Sequence, residues 1–95
     1  MRISQTKTIT AQNKFTDWVQ LDGIFQLHIT GLVGSTVTFQ GSPDAGSTVY
    51  DLDTYTGTGA NTMHVGTLSQ STWEYRAGVK TGDYASDTVI LRLEA

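Results

Sequence analysis

The sequence predicts an all-β fold: a two-sheet antiparallel β-sandwich of about seven strands, immunoglobulin- or fibronectin-like. Three observations carry that expectation. Apolar and polar residues alternate at a period of two along most of the chain, and no segment has a helical period. Turn signals recur at intervals of roughly 8–12 residues. The chain has 95 residues, enough for one domain. Seven strands cannot each bury a face in one flat layer of that size, whereas two packed sheets can. A small closed barrel is the alternative.

Residues 1–14 read as a polar N-terminal arm and residues 15–95 as the single sandwich domain. Ile3 and Ile9 are the only large aliphatics of the arm, and Ile3, Thr8 and Thr10 have the character of extended chain. The first clear strand is Phe15 to Leu21, with Phe15, Asp17, Val19 and Leu21 on one face and Trp18 on the other. Asp22-Gly23 turns the chain. Ile24 to Thr30 sets Phe25, Leu27 and Ile29 against Gln26, His28 and Thr30. After a turn in Gly31 to Gly34, Ser35 to Gln40 points Val37 and Phe39 inward. The segment GSPDAGST holds the only proline, Pro43, and is a dense turn signal. Val49 to Tyr55 places Tyr50 and Leu52 on one face and Val49, Asp51, Asp53 and Tyr55 on the other. TGTGAN is a loop, and Thr62 to Leu68 is a strand with Met63 and Val65 on one face. Trp73 to Lys80 aligns Trp73, Tyr75, Ala77 and Val79. Thr81-Gly82-Asp83 turns, and Thr88 to Leu93 aligns Val89, Leu91 and Leu93, so that these last two strands read as a closing hairpin.

Composition narrows the function. The net charge is −3, and the six basic residues are scattered along the chain. Nucleic-acid binding would call for a basic stripe instead. No stretch is long enough to span a bilayer, and no apolar run marks a signal peptide, so synthesis as a soluble cytoplasmic product is expected. There is no cysteine, which removes disulfides and thiolate metal sites. A domain of this size hides only roughly 60–65 % of its unfolded surface. Self-association is therefore an expected source of extra stability. Charged residues make up 16 % of the chain, against roughly 25 % in typical domains. Such a Thr-rich surface packs against neighbours with little charge desolvation.

The residues that could carry chemistry fall short of a site. Asp51 and Asp53, two apart on a strand, share a face, but Ca²⁺ takes about 6–8 oxygen ligands and no loop supplies them. His28 and His64, each on the polar side of a strand, lack the further ligands of a zinc site. No G-x-S-x-G elbow is present. Ser42-Pro43-Asp44-Ala45-Gly46-Ser47-Thr48 has the S-x-D-x-G-x-T form of an Asp-box turn, in which Asp accepts backbone N–H groups and Gly supplies positive φ. It reads as a turn lock. Trp18 and Trp73 could stack on a sugar ring if exposed beside Gln, Asp or Arg; otherwise they are core or interface. No enzyme activity, metal or cofactor is expected.

Three segments carry a resemblance. A strand with Phe25, Leu27, Ile29 and Gly31 is followed by Val37, Thr38, Gln40, Ser42, Asp44 and Gly46, and then by the closing run from Tyr75 through Tyr84 with Ser86 and Val89. These are similar to F-x-V-x-I-x-G, V-T-x-Q-x-S-x-D-G-G and Y-R-x-G-V-K-T-G-D-Y-x-S-G-T-V in small β-sandwich virion proteins of tailed bacteriophages. The likeness covers roughly residues 8–95 and is most specific in the last segment. It departs at Leu27, Phe39, Ala45 and Asp87. The resemblance implies a structural virion protein, first of all a capsid decoration (cement) protein on the outside of the head, with the major capsid protein as partner. It also implies a homo-oligomer, a trimer before a dimer. The alternative is a neck, tail or fibre component acting as an adaptor or as a carbohydrate- or receptor-binding module. Partner contacts are expected from the arm, at Arg2, Ile3, Lys7, Ile9 and Lys14, and from Trp18.

Overall fold

The computed structural model describes residues 4–21, 23–56, 62–68 and 73–94, with Thr62 and Leu68 described by their backbone alone. In chain order the strands are β1 (Ser4–Ile9), β2 (Lys14–Phe15), β3 (Val19–Gln20), β4 (Gly23–Thr30), β5 (Val37–Ser42), β6 (Tyr50–Tyr55), β7 (Thr62–Leu68), β8 (Glu74–Val79) and β9 (Val89–Glu94). The described residues contain no helix. One sheet has four strands in the order β1-β9-β4-β7; the other has the order β2-β8-β5-β6, with β3 also paired to β8. All pairings are antiparallel. The expected all-β, two-sheet architecture is what the chain adopts.

The inward residues are those that alternation selects. Phe25, Leu27 and Ile29 of β4 and Val89, Leu91 and Leu93 of β9 face Val37 and Phe39 of β5 and Tyr75, Ala77 and Val79 of β8, all buried. Each large side chain so buried contributes roughly 1.5–3 kcal/mol. Phe39 is stacked between Phe25 at 4.7 Å and Tyr75 at 5.6 Å between centroids, tying the sheets together across the middle of the core.

Four local readings of the sequence are corrected. Ser4 to Ile9 is an edge strand, not an arm: it pairs with β9 from Ser4↔Glu94 to Ile9↔Val89, and Ile9 is 0 % exposed in the core. The apolar signal was thin there because Gln5 and Lys7 hold the other positions in phase with Ile9, at an open edge.

The expected strand from Phe15 to Leu21 is broken. Phe15 pairs with Gly78 and Val19 with Tyr75, so one extra residue lies between β2 and β3. Thr16 fills the break. Its amide donates to the Ala77 carbonyl at 2.8 Å, and its hydroxyl accepts the Ala77 amide at 3.1 Å. This phase change turns Phe15 to the same side as Trp18, while Leu21 is fully buried.

A second register shift lies in β6, where Phe39 pairs with Asp53 but Gln40 with Asp51. Leu52 is the extra residue, and Asp51 and Asp53 therefore point to opposite sides of the sheet. Finally, β8 and β9 do not form a hairpin. They lie in different sheets, and β9 runs between β1 and β4.

Candidate functional site

Two outer sheet faces concentrate the remaining side chains. On the sheet containing β8, inward Tyr75, Ala77 and Val79 force Arg76 outward. Its guanidinium lies over Phe15 at 3.9 Å and over Trp18 at 4.5 Å from the ring centroids, the geometry of cation–π attraction. Its Nε donates to Gln40 Oε1 at 2.8 Å, Gln40 Nε2 donates to Asp51 Oδ1 at 2.8 Å, and Lys80 Nζ donates to Asp51 Oδ2 at 2.6 Å. Gln40 is only 5 % exposed although its register is outward. The Lys80 and Gln40 bonds hold the Asp51 carboxyl below its ordinary value, and Asp51 in turn raises Lys80. Burial lowers the Arg76 pKa.

The Asp-box turn closes one end of this face. Ser42 Oγ donates to Asp44 Oδ1 at 2.9 Å and accepts the Gly46 amide at 2.8 Å, and the Thr48 amide donates to Asp44 Oδ1 at 2.6 Å. Thr48's side-chain and backbone hydrogen bonds lower the Asp44 pKa, with Ser42 adding to them against a smaller upward push from burial. Gly46 has φ +98°, and a Cβ there would stand 3.1 Å from Trp18 Nε1. Gln40, Ser42, Asp44, Gly46, Arg76 and Lys80 come from two of the three segments that carry the sequence resemblance, and they converge here. Their polar groups bind one another, so the cluster works as a clasp between β5, β6 and β8.

The outer face of the sheet containing β1 is different. Its rows read Ser4–Glu94–Gln26–Val65 and Thr6–Arg92–His28–Met63 across β1, β9, β4 and β7. Glu94 accepts from Arg92 at 3.0 Å and meets His28 Nε2 at 3.1 Å. Around this pair stand exposed apolar side chains, from 41 % for Ile90 to 65 % for Ile24, with Met63 and Val65 between. A shallow depression of about 510 Å³, lined by Ser4, Thr6, His28, Thr30, Ile90 and Arg92, occupies the β1 side.

The residues expected to meet a partner are thus dispersed. Lys7 and Lys14 are exposed. Trp18 is half-buried against Arg76, so part of its ring is already engaged. Ile9 belongs to the core and is closed to a partner in the folded domain. Arg2 and Ile3 lie outside the described residues. Trp73 is half-buried, stacked on Tyr50 at 5.6 Å. His28 faces outward as expected, but His64 pairs with inward Leu27 and meets the Tyr55 ring at 4.0 Å. Among the described residues no group of three His, Cys, Asp or Glu is placed to hold a metal ion. Sequence reasoning missed Ile24 and Ile90 as surface residues. Their signal was visible: each is out of phase with the buried set of its own strand.

No protein-family model, curated protein or solved structure matches this chain.

The placement of Ile9 sets an expected outcome. Deleting residues 1–12 removes β1 and a fully buried isoleucine, and should cost at least about 3 kcal/mol of stability, measured by thermal unfolding. Charge reversal at exposed Lys7 and Lys14 isolates any role of this segment in attachment without that loss.

Proposed function

We propose that the protein is a structural component of a tailed-phage virion, a decoration (cement) protein that binds the outside of the head and reinforces joints between major capsid subunits. The observation that carries this reading is the presence of two separate apolar patches on a low-charge surface. Ile24, Met63 and Val65, on the outer side of β4 and β7, form one; Tyr50 and Leu52, on one side of the edge strand β6, form the other. Contiguous exposed apolar surface marks interaction sites. Two such patches on different sheets let one copy engage two neighbours, and linked weak contacts reinforce each other through effective concentration. The likeness of the Gln40–Gly46 and Tyr75–Tyr84 segments to phage virion proteins supplies the class. On this reading the protein is synthesised in the host cytoplasm, joins the head as a homo-oligomer, and has no catalytic role.

The core pairing is proposed to be immunoglobulin-like. β4 beside β7 in one sheet and β8-β5-β6 in the other correspond to the B–E and F–C–C′ neighbours of that fold. β9 departs from it by pairing with β1 and β4.

Cryo-imaging of particles of the encoding phage tests the role. Density for this domain outside the shell is the expected result. Density confined to neck or tail would overturn it in favour of an adaptor or receptor-binding module. Absence from the particle would overturn both.

A further inference from the structure

We infer that the outer face of the β1-β9-β4-β7 sheet is the self-interface of a two-fold dimer, in which the apolar ridge of each copy seats in the depression of the other. This inference does not rest on the virion reading.

The face has relief of two kinds. Ile24, Met63 and Val65 are exposed on the β4–β7 side, while the hollow is lined from β1 by small Ser4 and Thr6 and from β9 and β4 by Ile90, Arg92, His28 and Thr30. Ridge and hollow share rows: Met63 and Thr6 end the row through Arg92 and His28, and Val65 and Ser4 end the row through Glu94 and Gln26. A two-fold axis parallel to the strands, passing between β9 and β4, turns the sheet over and exchanges its sides. Met63 of one copy then lies opposite Thr6 of the other, and Val65 opposite Ser4, twice by symmetry. Such a contact is isologous and closes at two copies.

Charge permits this pairing. Arg92 and Glu94 are the formal charges of the described face and neutralise each other within each copy. No net charge is brought against its like. Size permits it as well. The molecule measures 34 × 25 × 17 Å, and its short dimension suits two sheets layered about 10 Å apart. The broad side sets an upper bound on the contact close to the ~800 Å² per partner of a standard interface. Packing one sheet face on another is also how the protein's own core is made.

Because the chain contains no cysteine, cross-linking can read the axis directly. Within one chain positions 6 and 63 lie three strands apart, roughly 14 Å, too far for a disulfide. The double variant Thr6→Cys/Met63→Cys should therefore oxidise to a covalent dimer. In a mixture of the two single variants, the Thr6→Cys protein should link to the Met63→Cys protein in preference to itself. Wild-type protein should sediment as a dimer at micromolar concentration. Val65→Lys, on a side chain already 58 % exposed in one copy, should weaken the dimer at least about 100-fold and keep the unfolding curve. Leu52→Lys, on the other patch, should leave the dimer intact. A monomeric wild type, Met63→Cys linking chiefly to itself, or a dimer indifferent to Val65→Lys would each overturn the inference.

Discussion

Gly78→Ala is expected to detach β2 and destabilise the domain by about 3 kcal/mol, a fall in Tm of roughly 12–24 °C. Gly78 lies in β8 opposite Phe15, and a Cβ there would stand 2.5 Å from the Phe15 Cα and closer still to the Lys14 carbonyl. Both obstacles are backbone and cannot rotate away. Relief requires β2 to move off, which breaks the Thr16–Ala77 hydrogen bonds and takes Phe15 from beneath Arg76. Gly82→Ala is the control. It has φ +90° but open space around it, so it should cost only about 1–2 kcal/mol. Thermal unfolding of the two variants side by side separates a steric cost from a conformational one. Equal shifts would mean that β2 does not lie against Gly78.

Asp87→Ala is expected to lower stability by about 2–3 kcal/mol at neutral pH, because it strips acceptors from a closed loop junction. Asp87 Oδ2 accepts the Val33 amide at 2.6 Å and the Ser35 amide at 3.3 Å, and Asp87 Oδ1 accepts the Ser35 hydroxyl. Ser35 is fully buried, and its Oγ also accepts the Ala85 amide at 2.8 Å. Removing the carboxylate leaves three donors without a protein acceptor.

Burial pushes the Asp87 pKa up, but the Ser35 and Val33 hydrogen bonds outweigh it and hold the carboxyl below its ordinary value. A lowered folded pKa means that the contribution is fully present above the unfolded value, near 3.9, and is lost as pH falls through the folded one. The stability gap between wild type and Asp87→Asn should therefore be constant from neutral pH down to about 5 and close at lower pH. Denaturant unfolding across that range checks it; a gap that widens on acidification would reverse the sign of the argument.

How much of this was legible in the sequence depended on where alternation met a buried face. β4, β5, β8 and β9 were readable because Phe25-Leu27-Ile29, Val37-Phe39, Tyr75-Ala77-Val79 and Val89-Leu91-Leu93 keep strict phase against polar neighbours. β1 was not, since an edge strand has one partner and needs one apolar anchor, and Ile9 alone gives no period. The breaks at Thr16 and Leu52 were invisible for a related reason. An inserted residue flips the phase of everything beyond it, and Phe15 to Leu21 looks regular when read straight through. For the outer face with the clasp, the spacing of Gln40, Ser42, Asp44, Arg76 and Lys80 could be seen, but not that β5 and β8 are neighbours. The ridge and hollow of the other face needed the pairing of β1 with β9 and of β4 with β7. Both are long-range facts that no local pattern encodes.

The position of β9 governs the order of assembly. It sits between β1 and β4, and both of those precede it by most of the chain. Among the described residues β1 pairs with no strand other than β9, and β4 otherwise pairs with β7 alone. The apolar run of β4 must wait, half-covered, for a strand that arrives late. Closing so long a loop is entropically slow, and sheets built from such distant segments fold in milliseconds to seconds. Docking of β9 is therefore expected late in assembly, and a chain that still lacks it is expected to be the form most open to mispairing with another copy.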